Sequence, residues 1–158
     1  MTHRTGQIAN ILIASSAVSE MISVPRVRAI PGRGLQGDRY FFGTGTFSPD
    51  PQKADFELTL IELENVEKFA ADSGLLFTAA LARRNVVTSG VRLNDFVGQE
   101  FFLGPVRIRG IRLCEPCNHL AKNSFSQALQ GLVHKGGLRA QILSEGEICL
   151  GDIIRVAQ

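Results

Sequence analysis

Apolar side chains recur with a period of two along much of this chain, the spacing of strands that bury one face. Val27 and Ala29 alternate with Arg26 and Arg28, and Leu58 and Leu60 with Glu57 and Thr59. Leu138, Ala140 and Ile142 alternate with Arg139 and Gln141. Residues 7–15, with Ile8, Ile11, Leu12 and Ile13, read as a buried strand. Residues 84–88 and 100–103 are short β-rich runs, and 147–156 closes the chain with a turn at Gly151-Asp152. The run 105–113 slips phase: Val106 and Ile108 are apolar at even positions, Ile111 and Leu113 at odd ones. The switch falls at Gly110, which predicts a β-bulge that re-aims whatever follows it.

Helical spacing is scarcer. Residues 62–72 place Leu63, Val66, Phe69 and Ala70 on one face, ended by Gly74. Residues 77–83 and 124–133 are two further short candidates, the second burying Phe125, Leu129 and Leu132. Strands outnumber helices and do not alternate with them as in βαβ proteins. The fold this predicts is mostly β: a closed or nearly closed β-barrel with a few connecting helices. At 158 residues, 1–158 reads as a single domain. The loop 43–54, rich in Gly, Thr, Ser and Pro, is the most flexible-looking segment.

Composition narrows the function. A hydrophobic content of 44% with 20% charged residues suits a globular core. No apolar run reaches the length of a membrane span, and the apolar stretch 8–14 is broken by Asn10, so neither a membrane segment nor a cleaved leader is expected. A net charge of +2 gives no argument for nucleic acid. Three cysteines make no disulfide framework, which points to a reducing, cytoplasmic compartment. Thirteen arginines stand against four lysines, with clusters at Arg26/Arg28, Arg83/Arg84 and Arg107/Arg109/Arg112. These read either as solvated strand faces or as two-pronged grips on an anionic small ligand.

The chemistry concentrates in residues 112–120, which hold Cys114, Pro116, Cys117 and His119 in a polar loop between a strand and a predicted helix. A helix N-terminus favours thiolate over thiol. Four readings stay open on the residues alone. A thioredoxin-like Cys-x-x-Cys has the local context but lacks the surrounding βαβ pattern. A structural zinc site has Cys114, Cys117, His119 and His134 but no second tightly spaced pair. Buried apolar thiols are the third reading, and the one expected of Cys149 between Ile148 and Leu150. The fourth is sulfur or molybdenum chemistry at a cysteine flanked by anion-binding arginines.

The order and spacing of several segments resemble the MOSC family, named for the C-terminal domain of molybdenum cofactor sulfurases. The segments are 34–40, 60–62, 83–90, 93–98, 104–117, 136–140 and 146–152. The resemblance covers nearly the whole chain and implies a β-barrel-rich domain. It implies one of two activities: relay of sulfur as a cysteine persulfide, or tenure of the molybdenum cofactor (Mo-molybdopterin, not pyridoxal phosphate) for reduction of N-hydroxylated compounds. In either case Cys117 is the catalytic residue and, with cofactor bound, the molybdenum ligand. The family's Gly-Leu-x-x-Asp-Arg element assigns Asp38 and Arg39 to the cofactor, and its Arg-x-Asn element assigns Arg83 and Asn85. Arg112 and Cys114 flank that set. Read without the family, Asp38 and Arg39 are a buried ion pair or turn lock, and Asn85 a strand-end turn. A separate sulfur donor or electron-transfer protein is the expected partner, with a small-molecule substrate for the reductase and neither nucleic acid nor membrane. The alternatives are a non-catalytic binding module and a small zinc or thiol redox domain. Cys117 is expected at the rim of a pocket, with Arg39, Arg83 and Asn85 on the same side.

Overall fold

The computed structural model describes residues 5–43, 57–114 and 131–157. The strands are β1 (Thr5–Ile13), β2 (Ile22–Ser23), β3 (Arg26–Ile30), β4 (Gly34–Leu35), β5 (Leu58–Glu62), β6 (Val86–Ser89), β7 (Glu100–Leu103), β8 (Val106–Leu113), β9 (Leu138–Ile142), β10 (Gly146–Cys149) and β11 (Ile153–Val156). The helices are α1 (Arg39–Phe42), α2 (Leu63–Ser73) and α3 (Ala79–Ala82), with a 3-10 turn at Leu93–Phe96.

Seven strands close a barrel in the order β11-β7-β8-β9-β5-β6-β1, with β1 pairing back onto β11 and β2 attached to the end of β1. All pairs are antiparallel except β5–β6, whose crossover contains α2 and α3. The expected barrel is therefore present. Closure needs strands that bend, and two register shifts supply the bends: one in β1 between Ile8 and Asn10, one in β8 between Gly110 and Arg112. The second is the bulge expected from the phase slip. A Cβ on residue 110 would be driven into the carbonyl oxygen of Phe96, so only glycine fits there. The extra residue keeps Arg112 facing outward with Arg107 and Arg109, and lets Leu113 join Val106 and Ile108 in facing the barrel interior, opposite Leu138.

Two apolar clusters hold the molecule. Ile8, Ile11, Leu58, Leu60, Val86, Phe101, Ile108, Leu138 and Ile154 are among those filling the barrel. Leu12, Ile61 and Val87 point outward, and α2, α3, the residues between them and the segment before β9 cover them with Val66, Phe69, Phe77, Ala82 and Leu132. This is why β5 is buried along both faces rather than half-exposed. Helix α2 ends at Gly74 in a left-handed conformation, as its sequence indicates. Of the candidate helix 124–133, residues 124–130 lie outside the described residues, as do residues 44–54 of the loop expected over 43–54. No helix among the described residues is long and apolar enough to cross a membrane.

The turn expected at Gly151-Asp152 is present, and one reading, the burial of Cys149, is corrected. The chain reverses at Gly151-Asp152 from β10, in a separate three-stranded sheet (β10-β3-β4), into β11 of the barrel. Strand alternation then puts Ile148 into the core and turns Cys149 outward, half-exposed rather than buried.

Glu57 fastens the small sheet to the barrel. Its Oε1 accepts from the backbone N–H of Gly32 at 3.0 Å and of Ile142 at 3.1 Å, and the residue is 6% exposed. Burial pushes its carboxyl above the usual carboxylate value, outweighing the two donors that pull it down. Because the folded value is raised, the unfolded chain loses this proton first. The contribution to stability is full below the unfolded value and falls away as pH rises through the folded one. Glu57→Gln keeps the acceptor and removes the titration. Its melting temperature is expected to exceed that of the parent at pH 7, with the gap closing toward pH 4; melting curves across that range check this.

Candidate functional site

Strand pairing brings most of the candidate residues together where several barrel strands end. The C-terminal ends of β1 and β8, the N-terminal ends of β6 and β9 and the middle of β5 meet in one row, because Leu60 pairs with both Val86 and Leu138, Val86 with Ile11, and Leu138 with Leu113.

Asp38 caps α1 and is fully buried. Its Oδ1 accepts from the Ala14 N–H and from Arg39 Nη1, both at 3.0 Å, and its Oδ2 accepts from the Tyr40 N–H at 3.3 Å. The buried ion pair read from the sequence is thus present, and it ties the end of β1 to α1. Arg39, 4% exposed, also donates through Nη2 to the carbonyl of Arg83 at 2.8 Å and lies 4.6 Å over the Tyr40 ring.

Arg83 is the left-handed C-cap of α3, with φ 56°. Its guanidinium is half-buried and donates to the carbonyls of Ser19 at 2.7 Å and Ser16 at 3.1 Å. Burial, and then the neighbouring Arg39 charge, weaken its hold on its proton. Asn85 is fully buried, at the bend immediately before β6. Its Oδ1 accepts from the N–H and hydroxyl of Thr59, each at 3.1 Å, and its Nδ2 donates to the Leu12 carbonyl at 3.2 Å. One side chain thereby stitches β1, β5 and β6, and it can do so because β5 and β6 run parallel side by side.

Arg84, 7% exposed, is the residue the sequence reading passed over. It donates to three carbonyls: Gly136 at 2.8 Å, Ala82 at 2.8 Å and Cys114 at 3.2 Å. The Cys114 N–H donates to the Gly137 carbonyl at 2.7 Å. The chain therefore leaves β8 and returns to β9 at one clamped point. The signal for Arg84 was the Arg83-Arg84 doublet beside an Arg-x-Asn pattern; nothing in the sequence said that the second arginine faces inward.

Cys114 is 2% exposed, and Arg112 is exposed on the outer face opposite Arg139. Asp38, Arg39, Arg83 and Cys114 are thus linked through the hydrogen bonds of Arg39 and Arg84, with Asn85 next in the chain, while Arg112 lies on the wall just before Cys114. Cys117 and His119 lie outside the described residues. Among the described residues no group of three or more His, Cys, Asp or Glu side chains is placed to hold a metal ion.

The MOSC domain model matches residues 37–155. Among solved structures, the YuaD protein from Bacillus subtilis superposes with a TM-score of 0.79 at 16% identity, over 95% of this chain and 94% of that one. YiiM from Geobacillus stearothermophilus gives 0.75 at 17% identity, over 97% of this chain and 75% of that one. YiiM from Escherichia coli gives 0.67 at 16% identity, over 96% and 70%. At these identities the superpositions speak for the fold. No curated protein matches the chain. The family model spans about three-quarters of the sequence, and its match runs from Gly37 beside the Asp38–Arg39 knot, through the rim, to β11. The chain belongs to the MOSC domain family.

Proposed function

We propose that this protein serves molybdenum-cofactor chemistry as a sulfur carrier, with Cys117 as the residue that holds the sulfur. The observation that carries the reading is the clamp at the barrel rim. Arg84 binds Cys114 and Gly136, the two ends of the segment that contains Cys117, and sits next to Arg83 and Asn85 in the chain. A carrier needs one thiolate on an anchored segment and a place for a donor to approach.

The molybdenum cofactor as a resident group is supported less well. The polar atoms of Asp38, Arg39 and Asn85 described above are turned on the protein itself. Among the residues carried over from the family, these three knit the rim rather than cradle a pterin. Arg83 alone favours the second reading, a cofactor-dependent reductase of N-hydroxylated compounds, because its guanidinium is half-exposed beside a second positive charge.

In the carrier reading the Cys117 thiolate attacks the outer sulfur of a donor protein's persulfide. The donor's S–S bond breaks, the donor leaves as its thiolate, and Cys117 becomes the persulfide. The donor is a separate protein.

The test is persulfide loading from glutathione persulfide, read by peptide mass, with molybdenum and pterin measured in the same preparations. Cys117→Ser is expected to abolish loading, and Cys114→Ser, buried and outside the reaction, to leave it nearly intact. Equal losses would point to a dithiol or zinc site, and loss confined to Cys114→Ser would overturn the assignment. Molybdenum with pterin, retained by the parent and lost in Cys117→Ser, would favour the reductase.

A further inference from the structure

The outward faces of β7, β8 and β11 carry a concentrated charge. Register sets Arg155 opposite Phe102, Phe102 opposite Arg107, and Arg109 opposite Glu100. The bulge at Gly110 keeps Arg112 on the same face. Leaving aside Arg112, which has an interaction of its own, Arg107, Arg109 and Arg155 stand on this face, among the described residues, against one carboxylate, Glu100, which pairs with Arg107. That excess of two on one face equals the formal charge of the whole chain, +2. The row runs down β8 to Cys114, two residues beyond Arg112.

We infer that this face docks an acidic helix of a protein partner. Arg107 and Arg109 are two residues apart on one strand face, so their Cα atoms are separated by about 7 Å. Carboxylates three or four residues apart on a helix are separated by about 5–6 Å, a spacing that two-pronged arginine contacts can meet. A single-stranded nucleic acid would want an open aromatic platform as well as charge. Among the described residues of this face the aromatic ring is Phe102, which already has the Arg155 guanidinium 4.3 Å and the Arg107 guanidinium 5.6 Å from its centre. The carboxylate-bearing partner is therefore the better fit. The inference rests on the donor-dependent reading above for its purpose only; its measurement involves neither sulfur nor molybdenum.

The experiment uses the full chain and two fluorescent probes: a synthetic helical peptide with glutamates at every fourth position, and single-stranded oligothymidine. Binding is followed by fluorescence anisotropy at low salt, where exposed charges are least screened. The double variant Arg107→Glu/Arg109→Glu is expected to bind the peptide at least about tenfold more weakly than the parent, the scale of a lost charged contact. The double variant Lys68→Glu/Lys135→Glu makes the same charge change at the cleft beside α2, over β5 and β6, and is expected to lose less than about threefold, the level of non-local screening. Should the first variant melt early, Arg155→Glu alone tests the same face with an expected loss in the same direction. Equal losses in the two double variants would reduce the effect to net charge and overturn the inference. So would unchanged peptide binding in the arginine variants, or oligothymidine binding more tightly than the peptide.

Discussion

Gly137→Ala is expected to prevent folding, or to cost more than about 4 kcal/mol, the range reserved for mutations that collide with fixed structure. Residue 137 has φ +108°, a conformation that side chains other than glycine's rarely adopt. A Cβ there would be driven into the carbonyl oxygen of Leu60. Leu60 is fully buried and paired on both sides, with Val86 and with Leu138, so its backbone has nowhere to go. Gly32→Ala is the matched control: φ is +78°, but no atom lies within 4 Å of the added methyl. It is expected to cost about 1 kcal/mol, the strain of the backbone conformation alone. Urea unfolding of the two variants, where the first yields folded protein at all, checks the contrast.

Arg84→Leu is expected to destabilise by about 4 kcal/mol, the scale of breaking a buried, hydrogen-bonded charge network. The guanidinium serves three carbonyls that leucine cannot satisfy, and each buried acceptor left bare costs about 1–3 kcal/mol. Arg84→Lys keeps the charge and can serve fewer of the three acceptors, so it should fall between the parent and leucine. A second readout separates loss of the clamp from general instability. In a Cys117→Ser/Cys149→Ser background, the remaining thiol, Cys114, is 2% exposed. Under native conditions it should react with a thiol reagent faster in Arg84→Leu than in a variant destabilised equally at a distant core site. Equal labelling rates would mean that Arg84 does not hold the rim closed.

The two predictions turn on backbone at the same place, and the sequence announced it only in part. The cysteine segment and the Arg-x-Asn pattern were legible as motifs. Asp38–Arg39 was legible as an ion pair because adjacent opposite charges beside a glycine-rich turn have few other uses in a buried setting. Arg84 was not legible, since strand alternation makes it one more polar residue next to an apolar run. Its inward role follows from what β8 and β9 bring to it, more than twenty-five residues further along the chain. Asn85 was legible as a strand-end turn but not as a link between strands, because its partners, Thr59 and Leu12, lie on neighbouring strands distant in sequence whose placement leaves no local trace.

Local periodicity by itself determined that this chain is mostly strand, that its β8 carries a bulge at Gly110, and that α2 ends at Gly74. These are properties of side chains a few residues apart, and a period of two or 3.6 records them directly. Only the tertiary structure decided that seven strands close on themselves, that the final run divides between two sheets at Gly151-Asp152, that Cys149 faces out while Cys114 is enclosed, and that one face of the barrel gathers an excess of arginine. The physical reason is pairing at long range: which strand edge a segment meets is fixed by hydrogen bonds and burial between residues distant in sequence, and alternation fixes only which side chains face the core, not which neighbour supplies it.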